Sequence, residues 1–140
     1  MPHPALSLPR LAALMAALAF SLPAQADTPM DAETFERYTQ GRTLSFNSQG
    51  QPYGIEQYLP GRRVLWAFIG QECEEGVWYP RDSMICFAYD NFPEEQCWEF
   101  YETETGLRAV FIGPDGPSTE LVEVEQSNQP LLCEGPGVGV

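Results

Sequence analysis

From Thr43 onward the chain alternates. Leu44 and Phe46 interleave with Thr43 and Ser45, and Val64, Trp66 and Phe68 fall on one face of the run 62–69. This period of two marks half-buried strands. It predicts further strands over 53–58, 76–80, 84–89, 97–102, 107–112 and 120–126. Turn signals separate them: Gln49-Gly50-Gln51-Pro52, Pro60-Gly61, Asp90-Asn91-Phe92-Pro93, Thr105-Gly106 and Gly113-Pro114-Asp115-Gly116-Pro117. Eight short strands with short connections predict an all-β fold, an antiparallel meander. Ahead of them, Thr28-Pro29-Met30-Asp31 predicts one short N-terminal helix capped by Thr28, with Phe35 and Tyr38 on one face and Gly41 as its stop. An open sheet of this size leaves an apolar face and two edges in water. Closure into a small barrel, or a curved half-barrel stopped by the helix, removes them, with a two-sheet sandwich as the second arrangement.

The first 26 residues read differently. A single cation, Arg10, precedes an unbroken apolar run from Leu11 to Phe20, and Ala24-Gln25-Ala26 is a small-x-small cleavage site. That is the anatomy of a secretory signal peptide, too short to span a bilayer. Residues 27–140 are then a single exported β domain, periplasmic or secreted, with a loose tail after residue 134. Cleavage removes His3, the only histidine, and the chain has no lysine.

Export implies an oxidising compartment, so four cysteines read as two disulfides. If residues of the hairpin 84–101 face each other when their numbers sum to 183, Cys86 opposes Cys97, Ile85 opposes Trp98 and Phe87 opposes Gln96. Ile85, Phe87, Tyr89, Trp98 and Phe100 then share one face and both sulfurs the other. One register thus satisfies the apolar pattern and the bridge. Cys73 is left for Cys133. The pairings 73–86 with 97–133 and 73–97 with 86–133 also satisfy the count. No CxxC pair is present for zinc or redox chemistry.

The net charge is −13, and loss of Arg10 with the leader makes the remainder one unit more negative. Such a field repels nucleic acid and anionic lipid and favours a basic protein as partner. A domain without imidazole or side-chain amine cannot assemble a Ser-His-Asp or Cys-His couple, a histidine metal site or a Schiff base. No phosphate-binding glycine motif occurs, and no cofactor is expected. Glu72, Glu74, Glu75, Glu94, Glu95, Glu102 and Glu104 leave a carboxylate-only hydrolase open, but these acids fall at loops and strand ends, where they read as solvated surface. The acidic runs lack the ordered spacing of a calcium loop.

Aromatic residues on alternating strands are core first. An eight-stranded barrel can also enclose one small ligand, and Tyr58, Trp66, Trp78 and Trp98 are the candidate lining. Arg62, Arg63 and Arg81 are candidates to receive an anionic group at its mouth.

The segments FERYTQGRTLSF, YGIEQYLPGRRVLWAFIGQECEEGVWYP, MICFAYD, EEQCWEF and PLLC span most of residues 35–133. In them the chain resembles a set of small exported bacterial proteins of unknown function, which implies export and one β domain. In size, acidity and architecture it is also similar to the periplasmic inhibitors of C-type lysozyme. Those carry a Ser-Gly-Ser-Gly-x-x-Tyr stretch that enters the enzyme cleft. The nearest stretch here, Phe46-Asn47-Ser48-Gln49-Gly50, does not match it. The expected function is a non-enzymatic exported binding or accessory module that recognises a protein through loops at one barrel end. A carrier of a small apolar ligand and a lysozyme-inhibitor-like protein are the alternatives.

Overall fold

A computed structural model describes residues 1–3 and 27–133. The expected cleavage site, residues 4–26 of the expected leader and the tail expected to be loose lie outside the described residues. The described chain forms a helix, α1 (Ala32–Thr39), and eight strands: β1 (Thr43–Ser48), β2 (Gln51–Leu59), β3 (Arg63–Phe68), β4 (Glu74–Arg81), β5 (Met84–Tyr89), β6 (Gln96–Thr103), β7 (Gly106–Gly113) and β8 (Gly116–Ser127). Each strand pairs antiparallel with the next and β8 returns to β1, so the sheet is a closed barrel. Closure is the arrangement that leaves no strand edge unpaired.

The helix begins later than the sequence pattern predicts. Residues 28–30 belong to no regular element, and the Met30 amide donates to the Phe100 carbonyl at 2.7 Å. The β5–β6 pairs run only from Phe87–Gln96 to Ile85–Trp98, so that carbonyl lies beyond them and the Met30 amide satisfies it. Asp31, not Thr28, is therefore the cap, its carboxylate accepting from the Thr34 amide at 2.8 Å. The first hairpin is also tighter than expected. Gln49 and Gly50 take positive φ (49° and 76°), the backbone of a two-residue type I′ turn. Gln51 and Pro52 already belong to β2.

Alternation divides inside from outside. Val64, Trp66, Trp78, Ile85, Phe87, Trp98, Phe100, Leu107 and Leu121 point into one core. Cys86 opposes Cys97, Ile85 opposes Trp98 and Phe87 opposes Gln96, the register the cysteines predict. The disulfides are Cys86–Cys97 and Cys73–Cys133. On the outer wall Arg81 covers the first of these, with Nη2 2.9 Å from Glu95.

The helix closes one end. Phe35 is fully buried, and its ring meets those of Tyr58, Trp78, Phe87 and Phe100 at centroid distances of 4.5–6.3 Å. Glu123 fastens the plug to the wall. Its carboxylate accepts from Tyr38 Oη at 2.7 Å, the Leu107 amide at 2.8 Å and Gln126 Nε2 at 2.9 Å. Burial and the bond to Glu123 push the Tyr38 hydroxyl up to about 12. In an up-and-down barrel alternate connections share an end. The β2–β3, β4–β5 and β6–β7 connections therefore lie at the helix end, and the β1–β2, β3–β4, β5–β6 and β7–β8 connections form the opposite rim.

Candidate functional site: an acid in an aromatic chamber

Below the rim is a chamber of about 40 Å³. Its walls include the side chains of Tyr53, Tyr58, Trp66, Phe68, Tyr89 and Trp98, and one acid faces into it, Glu56. Glu56 is inward by alternation: it lies two residues from Tyr58 on β2, pairs with Trp66 of β3, and is 3% exposed. Tyr89 Oη donates to it, lying 3.1 and 3.0 Å from its two oxygens. Burial pushes the Glu56 carboxyl up to about 8, with the Tyr89 bond opposing. The same burial raises the Tyr58 and Tyr89 hydroxyls well above their usual range, with the Glu56 charge adding to it.

Two glycines make room for this arrangement. A Cβ on Gly54 would stand 2.3 Å from the Trp66 indole, and one on Gly76 would stand 2.8 Å from the Tyr89 ring. Trp66 thus lies across the backbone of β2 and Tyr89 across that of β4. Tyr53 reaches the chamber by a different device. Phe46 pairs with Gly54 but Asn47 with Pro52, so Tyr53 is the extra residue of a bulge. Its ring packs on Trp66 and Phe68 at 6.0 and 5.5 Å. Phe92, from the β5–β6 loop, leans on Phe68 and Tyr89 at 6.4 and 6.0 Å.

Tyr53, Gln96 and Trp98 also line a wider basin of about 370 Å³, which is flanked by Glu94 and Glu95 and walled by Phe92 and Phe111. Chamber and basin therefore share one wall.

Of the lining expected from sequence, Tyr58, Trp66 and Trp98 do line the chamber. Trp78 does not: it packs edge-on against Phe35 at 5.1 Å, beneath the helix, with Arg62 over its outer face at 4.6 Å. The arginines expected at a mouth are elsewhere. Arg62 pairs with Glu36 of α1 at 3.3 Å, Arg63 follows the same helix-end turn, and Arg81 is held by Glu95. Sequence reasoning misses Glu56 and Tyr89 as a pair, although each sits at an inward position of its strand.

The arginines, unlike the acids, are segregated along the barrel axis: Glu33, Glu36, Asp82 and Glu104 place acids at the helix end as well. Among the described residues, Arg37, Arg42, Arg62, Arg63, Arg81 and Arg108 all belong to α1 or to strand ends and turns on the helix side. The rim carries Glu72, Glu74, Asp90, Glu94, Glu95 and Asp115. Glu74 accepts from Asn91 at 2.7 Å and Glu95 is paired, whereas Glu72, Glu94 and Asp115 make no ion pair among the described residues. The hairpin Asn47–Gly50, nearest to the lysozyme-inhibitor stretch, also lies at this rim.

No protein-family model, curated protein or solved structure matches the chain. The class is therefore set by the structure itself: a disulfide-bonded, closed antiparallel β-barrel with one end plugged by a helix and the other rimmed with acids. Among the described residues no helix is long and apolar enough to cross a membrane, and two closed disulfides fit a chain that folds outside the reducing cytosol.

Proposed function

We propose that the protein is an exported, non-enzymatic binding module that engages a basic protein at its open rim. The observation that carries this reading is the set of rim acids Glu72, Glu94 and Asp115, which make no ion pair among the described residues while the arginines lie on the helix side. An acidic rim whose one arginine contact is Arg81 on Glu95, above a wall of aromatic rings, supplies both long-range attraction and contact surface for a cationic partner. The aromatics suit the centre of such an interface, where large, rigid side chains contribute most of the contact energy. The chamber, at about 40 Å³, is far below the several hundred Å³ that drug-sized ligands occupy, and the basin of about 370 Å³ beside it is flanked by Glu94 and Glu95, which suits a cationic contact better than an apolar ligand. The export of the module rests on the leader expected at residues 1–26 and on the disulfides.

The test is binding to a panel of basic secreted proteins, a C-type lysozyme among them, at two ionic strengths. A steered encounter should lose about tenfold or more in association rate on raising salt, while the dissociation rate changes little. The triple variant Glu72→Gln, Glu94→Gln, Asp115→Asn should slow association in the same way. Equal binding by wild type and triple variant would sink the reading. So would retention that vanishes entirely at physiological salt, because it would then be nonspecific charge pairing.

A further inference from the structure

The chamber holds more than a filled core requires. Most inward residues at this end are aromatic, and an acid of similar size to glutamine stands among them with one phenol as its donor. An ionised carboxylate accepts about four hydrogen bonds, and one hydroxyl shared between two oxygens leaves most of that capacity free. The free space is larger than a single water needs, which is about 10–15 Å³. Around it stand the rings of Tyr53, Trp66, Phe68 and Trp98, side chains whose π-faces attract cations.

We propose that this chamber is an ammonium site: a lysine side chain of the basic partner enters past Tyr53, Gln96 and Trp98 and places its charged group on Glu56. The inference rests on the rim reading and names the chemistry at its centre. Its occupant follows from size and donor count. A primary ammonium carries three donors at the tip of a slim stem, matches the unused lone pairs of one carboxylate, and fits the volume. A guanidinium is broad and planar and prefers a free carboxylate edge for its two parallel bonds, but Tyr89 Oη already spans both oxygens. A quaternary ammonium has no donors to offer.

Binding at this site couples to a proton. The groups that face Glu56 are Tyr53 and Tyr58 from its own strand and Tyr89 from β5. The remaining lining, from β1 (Phe46), β3 (Trp66, Phe68), β5 (Phe87), β6 (Gln96, Trp98, Phe100), β7 (Ala109) and β8 (Leu121), does not titrate. Glu56 is therefore the group that must lose a proton, and an alkylammonium stays charged throughout. Affinity should rise with pH until Glu56 is ionised in the free protein, near pH 8. Below that pH the gain is about tenfold per unit.

The experiment titrates the oxidised protein with n-butylammonium, n-propylguanidinium and tetramethylammonium, following the indole resonances of Trp66 and Trp98 between pH 6 and 9. The expected result is saturable binding of n-butylammonium in preference to the other two, with the stated pH dependence. Glu56→Gln keeps shape and the Tyr89 bond, and should reduce affinity tenfold or more and flatten the profile. If that variant is misfolded by near-ultraviolet circular dichroism, the wild-type pH profile decides alone. Absence of saturable n-butylammonium binding, or a pH-independent affinity, overturns the proposal. A second arm uses a lysine-rich basic protein before and after conversion of its lysines to homoarginine, which keeps charge and removes the primary ammonium. Loss of binding on conversion supports a protein lysine as the source. Undiminished binding overturns the ammonium site while leaving the rim reading intact. Binding of n-butylammonium with no affinity for any basic protein keeps the site, assigns it a free amine, and removes the partner reading.

Discussion

Replacing Glu56 by glutamine should change how the stability of the barrel depends on pH. Unfolded, this carboxyl titrates near 4.5, and in the folded chain burial raises it to about 8. Between those values the folded chain keeps a proton that the unfolded chain has released. Folding therefore takes up a proton, and the group's contribution is full below about 4.5 and is lost progressively as pH rises towards 8. Each pH unit inside the window changes the unfolding free energy by about 1.4 kcal/mol, so about 3 kcal/mol is lost between pH 5 and pH 7. Glutamine cannot ionise, and this component disappears in the variant. Other carboxylates change stability with pH as well, but they are common to both proteins and cancel in the difference. The assay is urea unfolding of both proteins at pH 5, 6 and 7 with disulfides intact, so that the transition stays two-state. Relative to wild type, the variant should gain about 3 kcal/mol over that range. A wild-type-minus-variant difference that stays constant, or moves the other way, refutes a Glu56 that is buried neutral at the folded chamber wall.

Other outcomes follow from the packing. Phe35→Ala removes the fully buried ring that plugs the helix end and should cost about 3–5 kcal/mol by chemical denaturation. Gly76→Ala would place a Cβ 2.6 Å from the Ala88 carbonyl and 2.8 Å from the Tyr89 ring. It should lose about 1–3 kcal/mol and shift the Tyr89 ring resonances away from their wild-type positions. Opening Cys86–Cys97 or Cys73–Cys133 by paired alanine replacement releases closures with sequence separations of 11 and 60 residues. The expected losses are about 3 and about 4 kcal/mol in a chain-entropy treatment, with the longer closure the greater, and thermal unfolding checks the order. Tyr38→Phe removes one of the three donors to Glu123 and should cost about 1–2 kcal/mol. Faster hydrogen exchange in α1 than in β4 would show that the helix plug loosens first.

Much of the barrel is legible along the chain because its determinants are local. Alternation over 62–69 and 84–89 places Val64, Trp66, Ile85 and Phe87 inside, and pairing in a short hairpin is fixed once Cys86 is set opposite Cys97. The errors are local as well. Thr28 has the chemistry of a cap, but the Phe100 carbonyl takes the Met30 amide and the role passes to Asp31. Tyr53 follows an outward position in strict alternation, and only the bulge opposite Phe46 and Asn47 turns its ring towards Trp66.

Glu56 shows where such reasoning stops. The alternation that takes Tyr58 inward takes Glu56 inward too, but a glutamate's cost of burial depends on what stands across the barrel. Its donor, Tyr89, lies 33 residues away on a strand that is not its neighbour. Trp78 gives the converse case: its aromatic type suits a pocket wall, yet the helix end claims it for Phe35. Period, turns and the hairpin register belong to the sequence, because each depends on residues near in the chain. Which end is plugged, which end gathers the arginines, and what faces Glu56 belong to the closed barrel. Closure joins β8 to β1 and sets strands distant in sequence across one narrow interior, and no local pattern encodes those distances.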